Sequence, residues 1–256
     1  MIANKIDNWE FFQSHRQPVL HNTEVHIWHL SLAEQGANFD HLKKLLDSGE
    51  RSAGERFRFQ KDRNLYIAAH GFLRLILGFY EGIDPADVQF VRNPYGKPLI
   101  AGNNRPEKMM FNLSHSGNRI LFAFTRGREI GVDIEKIRAD FACQEIAERF
   151  FSEQEVAVFN SLPKEKKTEA FFNCWTRKEA FIKAVGEGLS YPLKDFDVTL
   201  RSGQEAQLLN ICRQSDEASN WTLVDIPVND EYKGAVAVRA KDLSFKQWAL
   251  DANFFD

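Results

Sequence analysis

The sequence predicts a mixed α and β fold, because helical and strand patterns occur in both halves of its 256 residues. Apolar residues recur along 65–80 at positions i, i+3, i+4, i+7 and onward, which predicts one long amphipathic helix. β-Branched and aromatic residues are concentrated in short runs near the start, in the middle and in the tail, as is typical of strands. No Pro/Gly/Ser-rich linker separates the halves, so we expect them to pack tightly together.

The first half begins with a strand, continues with helices and then turns to strands. Ser52 and Glu55 are expected to form a capping box ahead of the long helix, and Asp84-Pro85 is expected to open a short turn or helix. In chain order, the predicted elements are a strand over 22–32, helices around 39–47 and 65–80, and strands over 108–113, 119–125 and 129–135.

The second half returns to helices and ends in strands. Ser152 and Glu155 predict a second capping box, and Gly186 and Gly188 are expected to stop a helix that begins near Thr168. The predicted elements are helices near 143–150, from 152 onward and across 168–185, and strands near 196–200, 221–226, 235–239 and 244–250.

Composition places the chain among globular proteins, with 43% hydrophobic and 27% charged residues. No apolar run approaches the roughly 18 residues of a membrane span, and the first residues lack the pattern of a signal peptide. The widely spaced Cys143, Cys174 and Cys212 indicate neither a disulfide framework nor a CxxC metal site. These observations predict a cytoplasmic protein without membrane association.

Charge is unevenly divided, although the formal net charge is only −3. Residues 1–128 hold 17 Lys and Arg against 13 Asp and Glu, while the remainder holds 16 against 23. This raises the question of whether a ligand that needs both signs lies between the halves. Four cations around 56–63 could be solvated or could touch RNA, but the overall acidity and the lack of an RNA-binding motif argue against nucleic-acid binding.

Asp133 and Glu135 lie two residues apart on a predicted strand. Side chains at i and i+2 project from the same face, so the two carboxylates should lie together and repel each other. A hard divalent cation such as Mg²⁺ relieves that repulsion and prefers oxygen ligands. The alternative is an exposed polar strand face, and an Asp-x-Glu pattern alone does not exclude it.

Glu179 and Lys183 lie four residues apart on a predicted helix and therefore share a face. Such a pair is commonly a surface ion pair worth a few tenths of a kcal/mol. The functional interpretation is a third metal carboxylate one turn from a proton-donating ammonium.

Two turn-like segments carry groups that can bind phosphate. The segment from Asn112 to Gly117 includes Ser114 and His115, which can offer a hydroxyl, an imidazole and backbone N–H groups. The segment 92–98 contributes the cations Arg92 and Lys97. An ordinary solvated turn remains the alternative in both cases.

Taken together, RNPYGKP, FNLSHS, IGVDIEK, RFFSEQE and WTRKEAFIKAVGEGLS closely resemble the 4′-phosphopantetheinyl transferases of the long, Sfp-like type. The resemblance covers 56–200. It implies two similar α/β lobes in one chain, a pseudo-dimer with the active site between the lobes. We expect an N-terminal lobe over 1–128 with coenzyme A contacts, a C-terminal lobe over 129–256 with metal-binding and catalytic residues, and a monomeric protein.

The resemblance also implies the reaction and the residues that perform it. The family transfers the phosphopantetheine arm of coenzyme A to a serine of an acyl or peptidyl carrier protein and releases adenosine 3′,5′-bisphosphate. Asp133, Glu135 and Glu179 match the Mg²⁺ ligands, and Glu179 and Lys183 match the catalytic pair. Tyr66 departs from the small residue of some relatives. The residues matched to coenzyme A contacts are Lys61, Arg92, Lys97, Asn112, Ser114 and His115.

Carrier recognition in this family suggests an apolar surface in basic surroundings, for which the candidates are Phe141, Phe150, Phe151 and Phe159. Ordinary core packing is the alternative for each. Two rival functions stay open at this point. One is another Mg²⁺-dependent phosphoryl or nucleotidyl transferase, and the other is a catalytically silent coenzyme A-binding module.

Overall fold

The structure is a computed structural model that describes residues 10–11, 19–32, 38–102, 105–138, 141–212 and 216–250. It confirms the predicted mixed α and β class. The helices are α1 (Phe39–Leu45), α2 (Ser48–Glu55), α3 (Gln60–Glu81), α4 (Cys143–Phe150), α5 (Glu153–Asn160) and α6 (Lys164–Val185). The strands are β1 (Glu10–Phe11), β2 (Glu24–Ser31), β3 (Phe90–Arg92), β4 (Pro98–Ile100), β5 (Met109–Ser116), β6 (Arg119–Arg126), β7 (Ile130–Lys136), β8 (Phe196–Val198), β9 (Leu208–Ile211), β10 (Thr222–Ile226), β11 (Tyr232–Val238) and β12 (Ser244–Leu250).

The first lobe packs helix α3 on a sheet whose described strands have the order β1-β12-β2-β6-β5. Strands β2, β6 and β5 are antiparallel neighbours, whereas β12 runs parallel to β2. Because β12 comes from the end of the chain, this sheet takes strands from both sides of residue 128. The inner face predicted for the long helix is largely buried, at Ala68, Ala69, Phe72, Leu73, Ile76, Leu77 and Tyr80.

The second lobe repeats this arrangement with helix α6 on an antiparallel sheet of order β10-β11-β7. Helices α3 and α6 each have 22 residues. The core of this lobe is rich in aromatic rings, including Phe171, Phe181, Phe196 and Trp221. A long helix on a sheet therefore occurs in each lobe, as expected for two similar lobes, although the first sheet is mixed and the second is antiparallel.

A third apolar core joins the lobes, which confirms that the halves pack tightly. It contains Val25, Ile27, Leu121 and Ala123 from the first sheet, and Ile130, Val132, Ile134, Val236 and Val238 from the second. The strand predicted to carry the paired carboxylates, β7, thus lies at the lobe interface rather than on an exposed sheet face. In the ranges that the structure describes, no helix has the length and apolar character to cross a membrane.

The helix ends confirm one predicted capping box and show that the other is wrong. Ser152 and Glu155 form the reciprocal bonds of a capping box at α5. Ser52 and Glu55 lie inside α2, which is capped instead by Asp47 with Glu50. The Ser-x-x-Glu spacing also fits a helix interior, and Asp47 supplies a cap five residues earlier in an extended conformation.

Candidate active site

A pocket of about 370 Å³ lies where β5, β7 and α6 meet. It is lined by Leu113, Ser114, His115, Asp133, Glu135, Trp175, Glu179 and Lys183. Six of the predicted site residues therefore converge on one pocket: Ser114, His115, Asp133, Glu135, Glu179 and Lys183.

Strand β5 is linked to β7 by a row of side chains, although the two strands belong to different sheets. Asn112 Oδ1 accepts a hydrogen bond from the Val132 N–H at 2.9 Å. Ser114 Oγ donates to Asp133 Oδ1 at 2.8 Å, and Ser116 Oγ donates to Glu135 Oε2 at 2.9 Å. Residues at i, i+2 and i+4 of a strand share a face, so one face of β5 orients both carboxylates.

This row changes the interpretation of the segment predicted as a turn. Strand β5 continues through Ser116, and the turn follows at Gly117 and Asn118. Ser114 and Ser116 are therefore strand residues whose hydroxyls bind carboxylates of the protein. Sequence reasoning missed the role of Ser116, although its position two residues after Ser114 was a usable signal.

Helix α6 approaches β7 closely because Gly131 has no side chain. A Cβ atom at that position would lie 2.8 Å from the carbonyl carbon of Lys183, and nearer still to the backbone of Ala180 and Ala184. The absence of that atom lets α6 bring Glu179 and Lys183 to the carboxylates of β7. The sequence placed this glycine beside the acids without indicating its packing role.

Lys183 is held at the pocket by two polar contacts. Its Nζ lies 2.6 Å from Asp133 Oδ1 and donates to Ser114 Oγ at 2.9 Å. The side chain of Lys183 is 28% exposed, whereas that of Asp133 is only 5% exposed. The ammonium therefore has a fixed anchor in the protein and a side open to a ligand.

The remaining acids face a strong electrostatic cost of ionisation. Burial and the nearby Asp133 carboxylate raise the pKa of Glu179 to about 7. The same two causes raise the pKa of Glu135. Conversely, burial and the Lys183 ammonium lower the pKa of His115. The ammonium of Lys183 therefore does not balance the negative charge of the carboxylates in this pocket.

The donor chemistry of this pocket fits a hard cation. Asp133 Oδ2 is buried and has no hydrogen-bond partner within the described ranges, and three carboxylates surround the same space. As they stand, the described His, Cys, Asp and Glu side chains form no group of three that could hold a metal ion. Mg²⁺ commonly takes only one or two protein carboxylates, with waters and substrate phosphates completing its shell.

Four of the predicted coenzyme A contacts lie outside the pocket lining. Lys97 directs its ammonium to backbone carbonyls, and Asn112 bonds to β7 as described. Arg92 is exposed on the β3–β4 hairpin and donates to its own turn at the Gly96 carbonyl, 2.8 Å away. Lys61 is exposed in the first turn of α3. For Lys97 and Asn112 these contacts disfavour a direct role at phosphate, because the polar groups already have partners in the protein.

The four phenylalanines predicted for carrier contact separate into two pairs. Phe151 and Phe159 are only 1% and 0% exposed and belong to the core, so contact with a partner is wrong for both. Phe141 and Phe150 are partly exposed, and each lies beneath an arginine. Phe150 also packs edge-on against Trp175, a pocket residue, with ring centroids 5.9 Å apart.

A pocket that combines acids and an ammonium with an excess of negative charge has the residue types of a phosphoryl-group transferase site. Two family models identify the class more closely. The 4′-phosphopantetheinyl transferase superfamily matches residues 129–237, and the 4′-phosphopantetheinyl transferase N-terminal family matches residues 31–126.

Relatives extend the match over most of the chain. The 4′-phosphopantetheinyl transferase HetI of Nostoc sp. is 35% identical, covering 88% of this chain and 92% of its own length. The transferase Sfp of Bacillus subtilis is 32% identical, covering 75% and 82%. The transferase psf-1 of Bacillus pumilus is 33% identical, covering 78% and 82%. The chain belongs to the 4′-phosphopantetheinyl transferase family, and it is an enzyme of that class.

Proposed function

We propose that this enzyme transfers 4′-phosphopantetheine from coenzyme A to a serine hydroxyl of an apo acyl or peptidyl carrier protein. The reaction requires Mg²⁺ and releases adenosine 3′,5′-bisphosphate. The observation that carries the proposal is the convergence of Asp133, Glu135, Glu179 and Lys183 on one pocket in a chain of this family.

Asp133, Glu135 and Glu179 would hold Mg²⁺ together with the pyrophosphate of coenzyme A. The bound cation supplies charge neutralisation and orientation of the phosphate oxygens. Ser114 and Ser116 keep two of these carboxylates in place through their hydroxyl hydrogen bonds. The proposal also accounts for Asp133 Oδ2, a buried atom that has no hydrogen-bond partner among the described residues and would otherwise be costly.

Glu179 accepts the proton of the carrier serine, directly or through a water molecule. Glu179 suits this role because it lines the pocket beside Lys183, and a bound cation would keep its carboxylate ionised and able to accept a proton. The serine oxygen then forms a bond to the phosphorus that bears the pantetheine arm.

Lys183 stabilises the leaving group. The bond between that phosphorus and the bridging oxygen breaks, and the electron pair passes to the 5′-phosphate of adenosine 3′,5′-bisphosphate. An ammonium beside this oxygen can neutralise the developing charge and donate a proton. Ser114 and Asp133 fix Lys183 for this task, at 2.9 and 2.6 Å.

Coenzyme A binding would use His115 at the pocket together with the exposed cations Arg92 and Lys61. Charge-assisted hydrogen bonds to phosphate are each worth about 1.5–3 kcal/mol. The thiols of Cys143, Cys174 and Cys212 are free, which suits a reducing cytoplasm. We expect a monomer, because the two lobes of one chain already form the cleft.

The carrier would dock on a face that we call the arginine–phenylalanine patch, made of Arg138, Phe141, Arg149 and Phe150. Arg138 lies 4.4 Å from the ring centroid of Phe141, and Arg149 lies 5.1 Å from that of Phe150. The contact between Phe150 and Trp175 joins this patch to the pocket. Apolar rings beneath cations suit an acidic, amphipathic helix of the carrier.

The direct test incubates the enzyme with coenzyme A, Mg²⁺ and an apo acyl or apo peptidyl carrier protein, and measures the carrier's mass. The phosphopantetheine increment on the serine supports the proposal. A nucleotidyl increment, or binding of coenzyme A without any product on either carrier, supports the rival functions instead.

Substitution of the catalytic pair tests the residue roles. Glu179→Gln and Lys183→Ala should each lower turnover by at least about 10²-fold, the lower range for general acid–base groups. Circular dichroism establishes that each variant is folded. A folded Glu179→Gln enzyme with wild-type turnover removes the assignment of Glu179 as the base.

A further inference from the structure

The β3–β4 hairpin of the first lobe reaches across to the catalytic helix of the second. Lys97 Nζ donates to the carbonyl oxygen of Ala184 in the last turn of α6 at 2.9 Å. The same ammonium donates to the carbonyl oxygen of Ile130, the first residue of β7, also at 2.9 Å. One side chain therefore bonds simultaneously to the helix that carries Glu179 and Lys183 and to the strand that carries the paired acids.

Asn93 adds a second bond from the same hairpin. Its Nδ2 donates to the carbonyl oxygen of Gly186 at 2.8 Å. Its Oδ1 accepts from the Tyr95 and Lys97 N–H groups at 3.0 and 2.8 Å, which fixes the turn between the strands. Gly186 has a φ of +84° and ends α6, so this contact lies at the helix terminus.

The chemistry of a helix C-terminus explains why a lysine is found here. The last carbonyl groups of a helix lack intrahelical donors, and the helix dipole makes this end attractive to a cation. The Ala184 carbonyl is one of these acceptors. Burial lowers the pKa of Lys97 to about 8, so the group is still largely charged at neutral pH.

The geometry points to Lys97 as a positioning residue that sets the spacing between α6 and β7, rather than as a ligand of coenzyme A. This inference rests on the proposed function, because it matters only if Glu179 and Lys183 act together with Asp133 and Glu135. Asn93 supports the same spacing through the hairpin.

The test compares four variants with the wild type: Lys97→Met, Lys97→Arg, Asn93→Ala and Lys166→Met. Lys166 is an exposed lysine in the first turn of α6 and serves as the matched control. Calorimetry measures the Kd of coenzyme A with Mg²⁺ and no carrier. Steady-state assays with an apo acyl carrier protein measure kcat and KM well below each variant's thermal midpoint.

Lys97→Met should lower kcat by roughly 10- to 100-fold, since a shift of about 1 Å at a catalytic site can cost 10²-fold. The Kd of coenzyme A should stay within about threefold of the wild type, because no phosphate contact is lost. Asn93→Ala should lower kcat in the same direction. Lys97→Arg should restore part of the turnover, because a guanidinium can donate to both carbonyl oxygens but is larger than the ammonium that it replaces.

Two results would overturn the inference. One is a tenfold or larger rise in the Kd of coenzyme A for Lys97→Met with kcat preserved, which indicates a phosphate ligand. The other is a folded Asn93→Ala with wild-type kcat, which decides the matter even if Lys97→Met fails to fold. An active Glu179→Gln would contradict the proposed role of Glu179 as the base. It would leave unchanged the result expected for Lys97→Met, a lower kcat with an unchanged Kd of coenzyme A, so the two failures can be told apart.

Discussion

Gly131→Ala should damage the enzyme by separating β7 from α6. The added Cβ would lie 2.8 Å from the carbonyl carbon of Lys183 and closer to backbone atoms of Ala180 and Ala184. Ordinary van der Waals contact begins near 3.4 Å, so the helix must retreat by more than half an ångström. All three obstacles are helix backbone, which cannot move aside as the end of a flexible side chain can.

The magnitude follows from two separate costs. Overpacking a core usually destabilises by about 1–3 kcal/mol, and we expect the upper part of that range because backbone atoms clash. The midpoint of thermal unfolding should fall by about 5 °C or more. Turnover should fall by roughly 10²-fold, because Glu179 and Lys183 move with the helix while Asp133 and Glu135 stay with the strand.

Thermal unfolding and steady-state kinetics with coenzyme A and an apo carrier check both costs. Gly234→Ala is the matched control, because Gly234 lies in the same sheet as Gly131 and a Cβ there would meet its nearest neighbours at 3.3 Å. We expect this control to be much the milder of the two. Wild-type stability and turnover in Gly131→Ala would refute the argument that close backbone approach sets the pocket.

Three further predictions concern other parts of the molecule. Burial lowers the pKa of His26 to about 4, below its ordinary 6.5, so the unfolded state binds the extra proton and stability falls as pH drops from 6.5 through 4. This contribution approaches about 3 kcal/mol, at about 1.4 kcal/mol per pKa unit. The free energy of unfolding, measured in urea across that pH range, should therefore depend less steeply on pH in His26→Gln than in the wild type. Arg149→Glu should raise the KM for the carrier by roughly tenfold with the KM for coenzyme A unchanged, and equal changes in both would argue against carrier docking at Phe150. Lys178→Met should cost about 3–5 kcal/mol in urea unfolding, because the buried Glu155, 2.7 Å from Lys178 Nζ, loses its counter-ion; a loss below 1 kcal/mol would contradict this.

Local periodicity determined much of the candidate site. Asp133 and Glu135 share a face because strand side chains alternate, and Glu179 and Lys183 share one because a helix turns every 3.6 residues. These relations depend only on backbone geometry within a few residues. The mixed fold class, the long helix α3 and the end of α6 at Gly186 were predictable for the same reason.

Long-range packing decided the rest. The partners of Ser114 and Ser116 lie 19 residues away in the chain, and those of Lys97 lie 33 and 87 residues away. No local pattern shows that Lys97 binds carbonyl groups, because a cation in a turn suits a phosphate equally well. Burial separated Phe151 from Phe150 for a similar reason: adjacent rings point into different surroundings only once the helices pack.

The sequence by itself determined which side chains share a face of each helix or strand, and which class of chemistry those residue types suit. Only the tertiary structure decided that β12 joins the first sheet, that Gly131 admits α6, and that Lys97 bonds to backbone rather than lining the pocket. The physical reason is that spacing along one element is fixed by local backbone geometry. Contact between elements is instead fixed by which surfaces the whole chain buries together.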